Sequence, residues 1–412
     1  MRKFCSLLIL PITKNNITLP KLLGFKNDVM AKTIVNIISK DDLMPAYLFV
    51  KEKYVEGDGL MFISAKDTTE ELALVSELLK VPSQDIVNIV LTKERDEFTY
   101  ERIGRRLLPE LRKDVKYCVN LAGGTRYLAL AVQHVFESFE SEFFYTEVDN
   151  NYIVNSKFDD SFVDNDDFFF PIRHQVSVAE YFNVHGVQNR LEAYRHAPDR
   201  PEKDALNFFE LFSKHRIASD EYEIISILRE NYRGRKYLKI AEAESPRNER
   251  WARVPGLQKF LDRIGFVPKE KGKLLEEELD YLTGGWFEEY VYYQLKRYAN
   301  PFDIVINPKV STKGVKRQNE LDVAFTKNNK LYVVECKTGV HSESLFNEII
   351  YKSCALKEAM FGLSCESYIF SLKKDDSGDL KKAAKCMDIT FWDNAVLTNP
   401  SKFRKLMKNS FL

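Results

Sequence analysis

Asn319-Glu320-Leu321-Asp322, followed at close range by Leu331-Tyr332-Val333-Val334-Glu335-Cys336-Lys337, is the most informative stretch of this chain. Leu321 to Phe325 reads as a strand, Thr326 to Lys330 as a polar turn, and the second apolar run ends in Glu-x-Lys. Paired as a hairpin, the two strands bring Asp322 beside Glu335 and Lys337. Two carboxylates and an amine gathered at strand ends suit a divalent cation with a polarised water beside it. That is the arrangement of metal-dependent phosphodiester cleavage. The plain alternative is a hairpin whose charges face water.

Glu-x-Lys is common in so charged a chain, and Glu-Leu-Asp recurs at Glu278-Leu279-Asp280. That copy lies among acids without β-branched residues, so a solvated helical segment is expected there. Upstream of the hairpin runs Gly284-Gly285-Trp286-Phe287-Glu288-Glu289-Tyr290-Val291-Tyr292-Tyr293-Gln294-Leu295. Phe287, Val291 and Leu295 mark a helix face, and Glu288 sits one step off it, so a third carboxylate can point at the hairpin. This ordered set resembles the PD-(D/E)XK nuclease superfamily, in which a helix glutamate precedes the Asp and Glu-x-Lys strands. The resemblance covers Gly284 to Asp393, with a helix at Ser342–Met360 and a strand at Ser367–Leu372; Leu321 stands in place of the proline in the motif's name. It implies that Asp322 and Glu335 bind Mg²⁺ or Mn²⁺, aided by the Cys336 carbonyl, with Glu288 completing the shell. Lys337 would orient the attacking water or stabilise charge on the phosphate. Lys352 is a further phosphate contact or a solvated surface lysine.

A chain of 412 residues exceeds one ordinary core, so two or three domains are expected. Lys+Arg and Asp+Glu both number 61, which excludes a generic polyanion binder and confines any nucleic-acid surface to a local patch. The six cysteines have no Cys-x-x-Cys spacing and read as reduced, buried thiols of a cytoplasmic protein. The six scattered histidines offer no zinc cluster, and no apolar run is long enough to cross a bilayer. Met1-Arg2-Lys3 and the apolar run after it imitate a signal peptide, but Pro11 ends the run and no small-residue cleavage site follows; a buried strand at Cys5–Ile12 is expected.

Residues 1–156 alternate two kinds of segment. Strands are expected at Cys5–Ile12, Ala46–Val50, Leu60–Ser64, Ile86–Leu91, Tyr117–Leu121 and Phe143–Val148. Helices are expected at Val29–Ile38, Glu70–Leu79, Tyr100–Leu111 and Thr125–Phe136. The pattern implies an α/β domain with a mostly parallel, doubly wound sheet, whose ligands bind beyond the carboxyl ends of the strands. There, Asn120-Leu121-Ala122-Gly123-Gly124-Thr125-Arg126 closes a strand and opens a helix. Its glycines permit close approach of a ligand, and the helix start presents free N–H groups to a phosphate. The required spacings of a dinucleotide fingerprint or a Walker loop are missing. An ordinary strand-to-helix turn is the bland reading.

In this setting the loop resembles the Asn-x-x-Gly-Gly-Thr pattern of CARF domains, Rossmann-like folds that dimerise and bind cyclic oligoadenylates. The resemblance carries ligand contact to Asn120, Gly123, Gly124 and Thr125, with Arg126 where lysine is common; Thr13, Asn15 and Thr68 follow by loop position only.

Lys157 to Phe170, with five aspartates and five phenylalanines, reads as an acidic lip closing the first domain. A largely helical connector follows to residue 282, and the nuclease-like α/β domain occupies 283–412. Within the connector, residues 229–259 hold nine Lys/Arg against four acids, a net of +5, interleaved with Tyr232, Tyr237 and Trp251. Such a mixture suits single-stranded nucleic acid, or a solvated helix face over core aromatics.

The order of CARF-like domain, connector and PD-(D/E)XK domain resembles the two-domain ancillary nucleases of type III CRISPR immunity. It implies a homodimer whose cleavage of single-stranded RNA or DNA, or nicking of supercoiled DNA, is switched on by cyclic tetra-adenylate. Two other classes fit the same residues: a constitutive repair or restriction-type nuclease with a partner-docking first domain, and a ligand-sensing nucleic-acid-binding regulator with an inactive nuclease domain.

Overall fold

The computed structural model describes residues 32–40, 42–65, 68–91, 99–156, 168–189, 194–213, 219–246, 252–312, 318–338, 343–357 and 365–411. The expected strand at Cys5–Ile12, together with Thr13 and Asn15, lies outside them.

The N-terminal part comprises β1 (Lys32–Ile37), α1 (Met44–Lys53), β2 (Gly59–Ala65), α2 (Thr69–Leu79), β3 (Ile86–Leu91), α3 (Tyr100–Leu107), β4 (Lys116–Asn120), α4 (Arg126–Phe136), β5 (Ser141–Glu147), β6 (Tyr152–Asn155) and β7 (Phe169–Pro171). Its seven strands run in the order β3-β2-β1-β4-β5-β6-β7. Neighbours from β3 to β5 are parallel; β6 and β7 close the edge antiparallel. Helix α1 covers one face, and α3 and α4 the other.

Two segments exchange the roles expected of them. Lys32–Ile37, placed in a helix by its apolar spacing, is the central strand β1. Its Thr33, Ile34, Val35 and Ile37 are β-branched, which suits a strand paired on both sides. Ala46–Val50, expected as a strand, lies in α1, where Pro45 occupies the first turn and all five residues are buried. A helix buried all round shows no amphipathic period, so a short apolar run cannot be told from a strand.

The middle of the chain holds α5 (Val178–Val184), β8 (Val187–Asn189), α6 (Glu202–Ser213), α7 (Ser219–Asn231), β9 (Tyr237–Lys239), α8 (Ile240–Glu244), α9 (Leu257–Ile264), β10 (Lys273–Leu275) and α10 (Glu276–Asp280). The C-terminal part adds α11 (Trp286–Tyr298), β11 (Asp303–Ile306), β12 (Lys309–Thr312), β13 (Asn319–Glu320), β14 (Val323–Lys327), β15 (Lys330–Lys337), α12 (Glu343–Leu356), β16 (Cys365–Ser371), α13 (Asp379–Cys386), β17 (Ile389–Trp392), α14 (Asn394–Leu397) and α15 (Pro400–Ser410). Its main sheet is ordered β11-β14-β15-β16-β17, with β15, β16 and β17 parallel. One side packs on α11, α15 and the middle segment. The other shares a core with the N-terminal sheet, in which Val305, Leu321, Ala324, Leu331 and Val333 join Phe49, Phe62 and Phe144. The two sheets are therefore fastened together by apolar burial as well as by the chain.

Candidate functional site

The β14–β15 hairpin forms as its alternation requires. Val323 pairs with Val334, which sets Asp322, one residue before β14, opposite Glu335. Glu335 and Lys337 lie two apart and share a strand face, while Val334 and Cys336 point into the core between them. Asp322 Oδ2 accepts from the Cys336 N–H at 2.6 Å and stands 3.5 Å from Lys337 Nζ. Lys337 Nζ lies 2.6 Å from Glu335 Oε1. The amine thus bridges two carboxylates at the end of the hairpin.

Helix α11 delivers the third carboxylate. Phe287, Val291 and Leu295 are fully buried, which turns Glu288 toward Asn307, whose Nδ2 donates to Glu288 Oε2 at 2.7 Å. Asn307 takes a left-handed conformation (φ 52°) before Pro308, and its N–H donates to the Asp322 carbonyl at 3.0 Å. Arg195 donates to the Asn307 side-chain oxygen. Asn307 therefore joins the glutamate helix to the aspartate strand. Sequence reading missed it, although Asn-Pro after an apolar run is a turn signal.

The electrostatics are strained. Burial raises the Asp322 carboxyl well above its ordinary range, and Glu335 and Glu288 add to the rise against Lys337 and the Cys336 N–H. Burial also raises Glu288, with its Asn307 hydrogen bond opposing. Burial works to lower Lys337, but Asp322 and Glu335 outweigh it and keep the ammonium charged. Among the described residues no three His, Cys, Asp or Glu side chains close on one point as a ready ligand shell. The donor set is nevertheless all hard oxygen, and around Asp322 burial and the neighbouring Glu335 and Glu288 outweigh Lys337, which fits Mg²⁺ or Mn²⁺.

These groups line a cavity of about 800 Å³, together with Lys352, Lys309, Arg195, Arg200, Arg229, Arg233 and Lys269. Lys352 is an exposed residue of α12 at this cavity. The middle segment thus supplies cations to this cavity, together with the acids Asp199, Glu277, Glu278 and Asp280. Of the stretch 229–259, Tyr237 is exposed and Tyr232 is buried, while Trp251 lies outside the described residues. The expectation of a solvated Glu278 fails. That side chain is buried and accepts from Arg200, the Lys269 N–H and the Leu275 N–H, because α10 packs under the β9–β10 strands.

A second locus lies at the carboxyl ends of β1, β2 and β4. Asn120 is buried: its Nδ2 donates to Asn36 Oδ1 at 3.0 Å, and its Oδ1 accepts from Thr146 N at 3.3 Å and Oγ1 at 3.2 Å. It shapes the loop from beneath. A Cβ at Gly123 would fall 1.8 Å from the Ile37 carbonyl oxygen, and Gly124 has φ +65°, so both positions require glycine. Thr125 caps α4 by accepting from Leu128 N at 3.2 Å, and Arg126 is exposed in the first turn. Thr68 is buried and donates to the Ala65 carbonyl at 2.8 Å.

The profile of the Card1 CARF domain matches residues 33–181, and that of the Card1-like endonuclease domain matches residues 275–393. No curated protein matches the sequence. The fold is similar to protein VC1899 from Vibrio cholerae (TM-score 0.68, 17% identity, covering 92% of this chain and 98% of that one). It is also similar to Can2 from Sulfobacillus thermosulfidooxidans in complex with cyclic tetra-adenylate (TM-score 0.62, 19% identity, covering 91% and 99%). No helix among the described residues is long and apolar enough to cross a membrane.

Proposed function

This chain belongs to the CARF-domain PD-(D/E)XK effector nucleases of type III CRISPR systems, and on that premise we propose that it is a metal-dependent endonuclease activated by cyclic tetra-adenylate. The observation that carries the reading is the Lys337 amine held between Asp322 and Glu335 in a cavity lined by both basic and acidic side chains. Asp322 and Glu335 would hold Mg²⁺ or Mn²⁺ with the Cys336 carbonyl, and Glu288 would complete the shell. The cation, when bound, supplies a polarised water and neutralises charge on the phosphate. Lys337 stands where it can orient that water or meet charge developing on the phosphate. Lys352, Lys309 and Arg233 offer backbone contacts to single-stranded RNA or DNA, or to a nicked duplex.

The activator belongs to the Gly123-Gly124-Thr125 loop. Arg126 places a cation in the first turn of α4, where the helix dipole disfavours it and that turn holds no acid. A phosphate at that helix start would satisfy both. A homodimer is supported by the exposed Tyr127 and Leu130 of α4, with Tyr100 of α3 packed edge-on against Tyr127. The cysteines, which form no disulfide among the described residues, suit a reducing compartment, and on that basis we place the protein in the cytoplasm.

The test is cleavage with Mn²⁺, with and without each cyclic oligoadenylate, for wild type, Asp322→Ala and Glu335→Ala. Both variants are expected to bind the activator and to lose cleavage by about a hundredfold or more. Cleavage surviving in both would remove the metal assignment. Wild-type cleavage indifferent to every cyclic oligoadenylate would favour a constitutive nuclease.

A further inference from the structure

Arg229 lies near the end of α7, outside the nuclease-like domain, yet it reaches both halves of the carboxylate site. Its Nε and Nη2 donate to the Thr283 carbonyl at 3.2 and 2.7 Å, and Nη2 also donates to Thr338 Oγ1 at 3.3 Å. Thr338 immediately follows Lys337 at the end of β15. Thr283 sits in a wide π-helical turn, Tyr281–Gly285, that precedes the helix of Glu288. Gly284 breaks the regular helix there (φ 165°, ψ −31°), so α11 does not simply continue α10. The direction from which Glu288 approaches is therefore set by what holds that turn. π-turns of this kind occur often at functional sites.

The guanidinium is half-buried and, among the described residues, has no carboxylate within ion-pair distance. Burial lowers its pKa, and Arg233 adds to the effect, yet a guanidinium remains charged. Partly burying a charge on two uncharged acceptors is costly for stability alone. Its rigid planar fork, unlike a flexible ammonium, holds two converging bonds to one carbonyl oxygen and a third to a hydroxyl in fixed directions.

We infer that Arg229 is a positioning residue, fixing the start of the Glu288 helix against the end of the Glu335–Lys337 strand from a neighbouring element. The inference rests on the metal-dependent reading above. Arg229 acts here through Thr283 and Thr338 and is not assigned a substrate contact.

The experiment uses the full chain with cyclic tetra-adenylate and Mn²⁺, comparing wild type with Arg229→Lys, Arg229→Gln and Arg229→Ala. All variants lose the fork, and kcat is expected to fall by up to about a hundredfold with KM changed far less, the cost that misplacing reacting groups by about 1 Å can carry. Calorimetry should show weaker Mn²⁺ binding, and hydrogen exchange at residues 281–287 should quicken. Free methylguanidinium should restore part of the Arg229→Ala rate. In a Glu288→Gln background the Arg229→Lys loss should shrink, because the group being positioned is gone.

A raised KM with unchanged kcat would overturn the inference and make Arg229 a phosphate contact. So would full additivity with Glu288→Gln, or wild-type Mn²⁺ affinity in every folded variant. If Arg229→Ala does not fold, Arg229→Lys and Arg229→Gln carry the same measurements. A wild type that cleaves nothing with any divalent cation would instead fail the underlying reading, and the inference with it.

Discussion

Asn329, at the tip of the hairpin that bears the carboxylates, donates from Nδ2 to Asn151 Oδ1 of the N-terminal domain at 2.8 Å. The same amide donates to the His174 carbonyl at 2.9 Å, and its Oδ1 accepts from the Val176 N–H at 2.9 Å. Asn328 and Asn329 both have positive φ, as a tight hairpin turn demands. Asn151 lies in the β5–β6 turn, and β5 carries Thr146, which is bonded to Asn120 beneath the Gly123-Gly124 loop. The Gly123-Gly124 loop and the carboxylate-bearing hairpin are thus joined through one strand and two turns, with Lys330 adding an ion pair to Asp149 at 3.1 Å.

Asn329→Ala removes the partners of three groups around a buried side chain, and a loss of about 1–3 kcal/mol for each group left unsatisfied follows. A lowered Tm is expected. Because an activator acts only through a coupling free energy between sites, the ratio of cleavage with and without cyclic tetra-adenylate should fall several-fold while calorimetric binding persists. Unchanged stimulation in a folded Asn329→Ala protein would show that coupling runs elsewhere.

Glu289, the neighbour of Glu288, supplies a pH prediction. It is buried, Oε2 has no hydrogen-bond partner among the described residues, and burial pushes its carboxyl up to about 8 despite Arg195. A group whose folded pKa lies above its unfolded value stabilises the fold while protonated. That contribution is complete below the unfolded value near 4.5 and is lost as pH rises through about 8. Glu289→Gln keeps the shape and never ionises. The variant should match wild type near pH 5 and exceed it in stability at pH 8–9 by on the order of 2–4 kcal/mol. Parallel curves of Tm against pH would refute this.

The hairpin was legible because its pattern is local. Leu321 to Phe325 and Leu331 to Val334 bracket a polar turn, and their pairing puts Asp322 opposite Glu335. The Gly123-Gly124 loop was legible because close backbone approach and positive φ exclude other residues at these positions. Arg229 was not, since its partners are 54 and 109 residues away and no spacing rule predicts them. Asn307 was hidden similarly, as its role depends on α11 and β14 meeting. Ala46–Val50 is a helix where a strand is expected because full burial erases the periodicity that separates the two, while Lys32–Ile37, rich in β-branched residues, forms a strand. Asn120 was read for a ligand, yet the structure turns its side chain inward to Asn36 and Thr146.

Arg233 and Lys352 face the same cavity from different elements, α12 for Lys352 and the residues after α7 for Arg233. Arg233 lies 3.5 Å from Asp280 in an exposed pair that contributes little to stability. Arg233→Glu with Lys352→Glu should leave Tm near wild type and weaken binding of single-stranded oligonucleotide. The slope of log affinity against log salt should shrink by about 1–2, one for each phosphate contact removed. Fluorescence anisotropy over a salt series checks this in a Glu335→Ala background, in which cleavage is expected to be lost. An unchanged slope would return both residues to ordinary surface.

The Gly123-Gly124 loop, as the proposed activator site, gives a prediction with opposite signs in two measurements. Gly124→Val is a poor probe, because its Cβ would lie 2.8 Å from Ile37 Cγ2 and 3.1 Å from Leu128 Cδ2 at φ +65°. Loss of activation there could not be separated from damage to the loop. Arg126 is exposed and sits at the positive end of α4, where a cation is unfavourable in the free protein. Arg126→Glu should therefore raise the stability of the ligand-free protein by about 0.3–1 kcal/mol, as acids at helix N-termini do. The same change places an anion where the phosphates of cyclic tetra-adenylate are expected, so calorimetric affinity should fall at least tenfold. Stimulation should then require proportionally more activator, because a ligand shifts a two-state equilibrium only by binding one state better than the other. Cleavage at saturating activator should recover, since Asp322, Glu335 and Lys337 are untouched. Thermal melting without ligand, paired with a calorimetric titration, reads both signs. A gain in stability with wild-type affinity would place the phosphates away from α4.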